Sequence, residues 1–79
     1  MATGTIKKIV KSQDITVTTS STGAVNLPEM YQDKLVGWAS VGAIYNIFRR
    51  DVGWLAVRDF YNPATAIANT TITIRLYYI

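Results

Sequence analysis

The sequence predicts an all-β fold, a small antiparallel β-sandwich of about six or seven strands. Residues 71–78 alternate Ile, Leu or Tyr on one face with Thr, Arg or Tyr on the other. That period is typical of a half-buried strand. Turn signals recur about every 8 to 12 residues, the spacing of sandwiches and small barrels. The middle of the chain is apolar, β-branched and aromatic, a composition that favours strands.

The first third of the chain predicts two or three short strands. Residues 5–11 and 15–19 are candidates, and the second alternates apolar residues with threonines. The segment SSTG then predicts a turn in which Gly23 adopts a positive φ. A strand restarts at AVNL and stops at Pro28, because proline cannot donate a ladder hydrogen bond.

The segment PEMYQDK, residues 28–34, is polar and predicts a connection that can contain one helical turn begun by proline. Strand structure is predicted to return over residues 35–50. Gly37 and Gly42 argue against a helix here. Each would cost about 1 kcal/mol relative to alanine inside a helix, whereas strands use glycine at bends and bulges.

The segment RRDVGW, residues 49–54, predicts a hairpin loop. Asp51 can bond its own backbone there, and Gly53 can take a left-handed conformation. WLAVRDF is then the return strand, and YNPATAIAN, residues 61–69, is a loop that leads into the final strand.

The size and composition of the chain favour a homo-oligomer. A domain of 79 residues buries only about 60% of its unfolded surface, so its core is thin. Small domains usually add disulfides, a metal or oligomerisation, and this chain has neither cysteine nor histidine. Its residues are 49% apolar and only 16% charged, so a monomer would leave much apolar surface in water.

The charge pattern argues against several partners. The net charge of +3 is spread along the chain, whereas a nucleic-acid binder usually carries a denser basic stripe with interleaved aromatics. The lysine-containing start is not followed by the apolar run of a secretory signal. The sequence contains no apolar run of about 18 residues, so it predicts no membrane-spanning helix.

The sequence predicts no catalytic, cofactor or metal site. Its acidic residues fall mostly at turns or in the polar connection, and no spacing requires two carboxylates to meet. The serines of TTSSTG have no histidine as base and no Ser-x-x-Lys partner. We therefore expect a protein that is not an enzyme.

The aromatic residues are too many for one small core, so some should be exposed or lie at an interface. If Leu55 and Val57 face inward, Trp54 and Arg58 project outward and suit a sugar or an aromatic protein contact. The alternative is that Trp54 is the core tryptophan and Leu55 is exposed.

Tyr45 and Arg49 raise the same two interpretations. They share one strand face, about 13 Å apart at the usual rise, so they can line one surface but not one small pocket. Arg49 and Arg50, at a loop tip, are either solvated or able to meet anionic surface polymers. Candidate receptor-binding residues are therefore Tyr45, Arg49, Trp54 and Arg58.

Residues 14–79 resemble the C-terminal head modules of tail-fibre and receptor-binding proteins in phages of gut bacteria. The resemblance rests on DITVTTSSTGAVNL near the start, on VGWASVG and GWLAVRDF in the middle, and on ANTTITIRLYYI at the end. It implies a β-sandwich head domain over 14–79 that forms trimers and binds a bacterial surface glycan or protein from the phage tail. Residues 1–13 would be a shaft remnant or a first strand.

The resemblance also implies a role for the last strand. In a fibre that ends in its head, this strand would pack at the threefold contact, with Ile74, Leu76 and Tyr78 as candidate interface residues. Two other functions fit the residues. One is a structural virion protein, from the baseplate or a decoration, that binds other phage proteins. The other is a small OB-like nucleic-acid binder using Lys7, Lys8 and Lys11 with the aromatic strands.

Overall fold

Six strands and one short helix make up the described part of the chain, residues 9–79 of a computed structural model. The strands are β1 (Lys11–Thr18), β2 (Ala24–Asn26), β3 (Leu35–Val41), β4 (Tyr45–Asp51), β5 (Trp54–Asp59) and β6 (Thr71–Tyr78), and the helix α1 is Glu29–Gln32. They form two antiparallel sheets, sheet A with the order β1-β6-β3 and sheet B with the order β2-β5-β4. The predicted all-β fold is confirmed.

Sheet A is built around the last strand. β6 pairs with β1 over its whole length, from Lys11 opposite Tyr78 to Thr18 opposite Thr71. Its other edge pairs with β3, where a bulge at Val36 shifts the register. Both edges of β6 are therefore paired within one chain, and neither is left open to another strand.

Two of the three predicted interface residues of β6, Ile74 and Leu76, lie in the core of the single chain. Ile74 and Leu76 are 0% exposed. Tyr78 is half-buried and packs edge-on against Tyr31, with the ring centroids 5.1 Å apart. The apolar face of β6 packs against the inner face of sheet B, which covers it within the chain.

Sheet B supplies the other half of the core. Leu55 and Val57, at the centre of the sheet, are completely buried with Val25 of β2. The ring of Trp38 comes from sheet A and packs at the margin of the same cluster. Its indole Nε1 donates a hydrogen bond to the Ile47 carbonyl of sheet B at 3.0 Å, which ties the two sheets together.

The connections follow the predicted turn chemistry with one exception. The helical turn after Pro28 is present as α1 and buries Tyr31. Gly23 has a positive φ of 75°, and the Asp51 carboxylate accepts the Gly53 amide at 3.0 Å, both as predicted. Gly53 itself does not have the predicted left-handed conformation, which occurs instead at Gly42, with a φ of 87°.

At the start of the chain, one predicted element can be placed only in part. The candidate strand over 5–11 falls mostly outside the described residues. β1 begins at Lys11, ahead of the predicted domain boundary at residue 14, and Ile9 and Val10 before it are exposed. Within residues 9–79 no helix has the length and apolar character needed to cross a bilayer.

Candidate functional site

The outer face of sheet B, which points away from sheet A, carries the candidate site. Successive residues of a strand point to opposite faces, so the inward Leu55 and Val57 place Trp54, Ala56 and Arg58 on the outside. Trp54 remains 37% exposed. The interpretation in which Trp54 and Arg58 project outward is therefore the correct one, and Leu55 is a core residue.

Two alanines form the floor between these larger side chains. Ala24 of β2 and Ala56 of β5 lie directly opposite each other, and Phe48 of β4 lies opposite Ala56 on the other side. Although they are on the outer face, the alanines are only 6% and 4% exposed. Small side chains flanked by Trp54 and Phe48 leave a channel across the sheet, which we call the sheet B groove.

The groove consists of two adjoining depressions, of about 350 and 320 Å³. The first is lined by Ser20, Thr22, Ala24, Arg50, Asp51 and Trp54. The second is lined by Thr22, Ala24, Phe48, Arg50, Ala56 and Arg58. Each depression has one aromatic ring, Trp54 in the first and Phe48 in the second. Arg50 lines both.

A tight turn after β1 builds the rim of the groove. The Ser20 hydroxyl accepts hydrogen bonds from the backbone amides of Thr22, at 3.2 Å, and Ala24, at 3.1 Å. Gly23 fits here because its carbonyl accepts the Val57 amide at 2.7 Å, an approach that leaves no room for a Cβ atom. The turn thereby fixes Thr22 beside the two depressions.

Two arginines give the groove its charge. The Arg58 guanidinium lies 5.8 Å from the centroid of the Phe48 ring, within the range of a cation–π contact. Its Nε atom is buried and has no hydrogen-bond partner in the structure. Arg50 forms no side-chain hydrogen bond or ion pair with any residue between 9 and 79. Both guanidinium groups therefore retain unused donors.

The other two predicted receptor-binding residues lie on the opposite face of sheet B. Tyr45 packs at the margin of the core. The Arg49 guanidinium donates to the carbonyls of Gln32, at 2.6 Å, Val52, at 2.8 Å, and Asp51, at 3.2 Å. Its role is to hold the β4–β5 loop against α1, and the structure does not bring it together with Trp54 and Arg58.

A bulge in β4 decides which arginine faces outward. Asp51 pairs with Trp54, but Arg49 rather than Arg50 pairs with Leu55, so Arg50 is the extra residue. This shift turns Arg49 inward with Leu55 and places Phe48 opposite Ala56 on the outside. Phe48 and Arg50, which the sequence interpretation did not select, thus replace Tyr45 and Arg49 in the site. The only signal in the sequence was that Phe48 and Arg50 alternate with Arg49 along the strand, so they lie on the face opposite to it.

The described residues contain no group of three His, Cys, Asp or Glu side chains arranged to hold a metal ion. The polar and aromatic lining of the sheet B groove consists of two aromatic rings, two arginines, the Asp51 carboxylate and the hydroxyls of Ser20 and Thr22. No family model, curated protein or solved structure matches the chain.

Proposed function

We propose that this protein is a non-enzymatic binding module that recognises a glycan on the bacterial cell surface, at the tip of a phage tail fibre. The observation that carries the proposal is the sheet B groove, in which Trp54 and Phe48 flank an alanine floor and two arginines supply free donors. The phage setting comes from the sequence resemblance and is proposed on that basis.

The groove has the chemistry that sugars require. A pyranose ring has apolar C–H faces and a rim of hydroxyls, so it fits against an exposed aromatic ring while side-chain donors and acceptors bind the rim. The Trp54 ring is partly exposed and Phe48 is 42% exposed. The Thr22 hydroxyl and the guanidinium groups of Arg50 and Arg58 lie within the same lining.

The experiment is a binding assay of the purified chain on intact bacteria and on an array of bacterial surface glycans. Trp54→Ala should reduce binding about tenfold or more, because ring stacking is lost from the first depression. Tyr61→Ala is the matched control, since Tyr61 is an aromatic residue that is 88% exposed and lines neither depression. It should bind like the wild type.

Two results would contradict the proposal. If the chain binds no bacterial cell and no surface glycan but binds purified phage proteins, it is a structural virion component. If Tyr61→Ala abolishes binding and Trp54→Ala does not, the binding surface is the loop after β5 and not the sheet B groove.

We also propose that the chain acts as a homotrimer, with a contact that does not involve the buried face of β6. Ile9, Val10, Val36 and Ile79 are exposed apolar residues at one end of sheet A, where Lys11 and Leu35 flank Tyr78. This surface is available to other copies of the chain. Light scattering should give a mass near three times 8.8 kDa, and Val36→Asp should lower it. A monomeric wild-type chain would contradict the trimer.

A further inference from the structure

We infer that the ligand of the sheet B groove is acidic, and that its phosphate or carboxylate group binds between Arg50 and Arg58. This inference rests on the proposed glycan-binding function and names the class of glycan. Three observations support it: which arginine side chains have acceptors within the chain, which residues line the groove, and the buried Arg58 Nε–H that has no acceptor among residues 9–79.

The described residues contain four arginines, and they fall into two pairs. Arg75 forms an ion pair with Asp14, and Arg49 donates to three backbone carbonyls. The side chains of Arg50 and Arg58 form no hydrogen bond with residues 9–79, and both line the second depression. The two arginines whose side chains have no protein acceptor thus share one depression, whereas the two with acceptors line neither depression.

The lining of the second depression contains these two positive charges and no carboxylate. Two like charges at one site repel each other, and an anion bound between them removes that repulsion. Asp51 belongs to the first depression, where its carboxylate already accepts the Gly53 amide. A neutral sugar would leave the paired positive charges unbalanced, so charge complementarity favours an acidic ligand.

The buried Nε atom of Arg58 supplies the third observation. A buried donor without an acceptor is costly, and a native structure usually has a specific reason for one. Guanidinium groups bind phosphate and carboxylate through two parallel N–H donors. Phe48, beneath Arg58, holds that guanidinium in the groove and provides an adjacent apolar surface for the sugar ring that carries the acidic group.

The test is an NMR titration of the full chain with three probes: glucose 6-phosphate, glucuronate and glucose. The two acidic probes should shift the signals of Thr22, Ala56 and the Arg58 Nε–H, and glucose should shift them much less. Comparing the two acidic probes tells whether phosphate or carboxylate is preferred. A short single-stranded oligonucleotide forms the fourth arm, since it presents phosphodiesters and bases instead of a glycan.

Arg50→Gln and Arg58→Gln should each weaken binding of the acidic probes by about tenfold or more, because a charge-assisted hydrogen bond is lost. Arg50 is exposed, so its variant tests the site without disturbing the core. Lys34→Gln is the matched control, because it removes one positive charge from an exposed position outside the groove. It should leave the affinity unchanged.

The inference is overturned if glucose binds as tightly as the acidic probes, or if Arg50→Gln leaves their affinities unchanged. Tight oligonucleotide binding with no response to the sugar probes would overturn it in favour of nucleic acid. These results separate the two proposals. Trp54-dependent binding to bacteria that persists on glycans without acidic groups supports the proposed function and rejects the acidic ligand. Arginine-dependent binding of the acidic probes without binding to bacteria supports the anion site and rejects the proposed function.

Discussion

The outer faces of sheets A and B have the same three-stranded antiparallel frame and opposite chemistry. On sheet A, threonine hydroxyls bond one another across β1 and β6, at 3.3 Å for Thr16 and Thr73 and 3.0 Å for Thr18 and Thr71. Beside them Arg75 donates to Asp14 at 2.8 Å. These polar side chains find their partners within the chain.

On the outer face of sheet B, the aromatic rings are partly uncovered and the arginine side chains lack hydrogen-bond partners among residues 9–79. Trp54 and Phe48 are partly exposed, and Arg58 has a buried donor with no acceptor. Both sheets bury their inner faces in the same core, so the requirements of folding do not explain this difference. The comparison supports the proposal that the outer face of sheet B binds a ligand, since its arginines lack, within residues 9–79, the kind of partner that Arg75 has on sheet A.

The largest expected effect distinguishes the two faces of β6. Leu76→Ala should destabilise the fold by about 2 to 5 kcal/mol, because Leu76 is 0% exposed and its loss leaves a cavity. Thr73→Ala, on the outer face of the same strand, removes one exposed hydrogen bond and should cost less than about 1 kcal/mol. Urea unfolding measures both free energies.

A small domain has little stability to lose. If Leu76→Ala leaves no folded population, Ile74→Val, with an expected cost of about 1 kcal/mol, provides the graded measurement. Both effects should be independent of protein concentration. A loss of stability that appears only on dilution would place these residues at an interface between copies after all.

The next effect concerns the turn that supports the sheet B groove. Gly23→Ala would bring a Cβ atom to 2.7 Å from the Val57 carbonyl oxygen at a φ of 75°. The combined clash and strain should cost about 2 to 4 kcal/mol. Gly42→Ala is the matched control, since its φ of 87° is similar but nothing lies within 4 Å of the new atom. Its cost should be about 1 to 2 kcal/mol, from strain alone.

Thermal and urea unfolding of both variants give the comparison. Equal costs would mean that the close approach of Gly23 to Val57 does not constrain the turn. In that case the rim of the groove is not fixed by packing against β5, and the position of Thr22 is less restricted than the structure indicates.

The sequence predicts the faces of the strands better than it predicts their partners. Alternation correctly separates Ile74 and Leu76 from Thr73 and Arg75, because the side-chain period of a strand is a local property. It carries no information on what covers the apolar face. β6 pairs with β1, more than fifty residues earlier, and with β3, so alternation alone did not predict that Ile74 and Leu76 lie in the core of the single chain.

The candidate site shows how one extra residue limits prediction. Trp54 and Arg58 follow from the parity of β5 once Leu55 and Val57 face inward. The bulge at Arg50 shifts the inward and outward alternation of β4 by one residue relative to the loop. No residue pattern in RRDVGW predicts this bulge. Half of the groove was therefore predictable, and Phe48 and Arg50 required the observed register.

The smallest expected effect concerns the ion pair between Asp14 and Arg75 on the outer face of sheet A. A hydrogen bond from Arg75, aided by its charge, holds the pKa of the Asp14 carboxyl below its ordinary value. A carboxyl whose pKa is lowered by folding adds stability above its unfolded pKa, and this stability is lost as the pH falls through the folded pKa. Because both side chains are exposed, the contribution should be small and should shrink at high salt.

Asp14→Asn should therefore show a smaller loss of unfolding free energy on acidification than the wild type, and the two proteins should converge at low pH. Urea unfolding at a series of pH values measures this difference. Asp33→Asn is the control, since Asp33 is exposed and forms no ion pair with residues 9–79. If Asp14→Asn follows the wild-type curve throughout, the ion pair does not contribute to folding. The polar partners of sheet A would then be no more consequential than the unpaired arginines of sheet B, and the contrast between the two faces would rest on the aromatic residues alone.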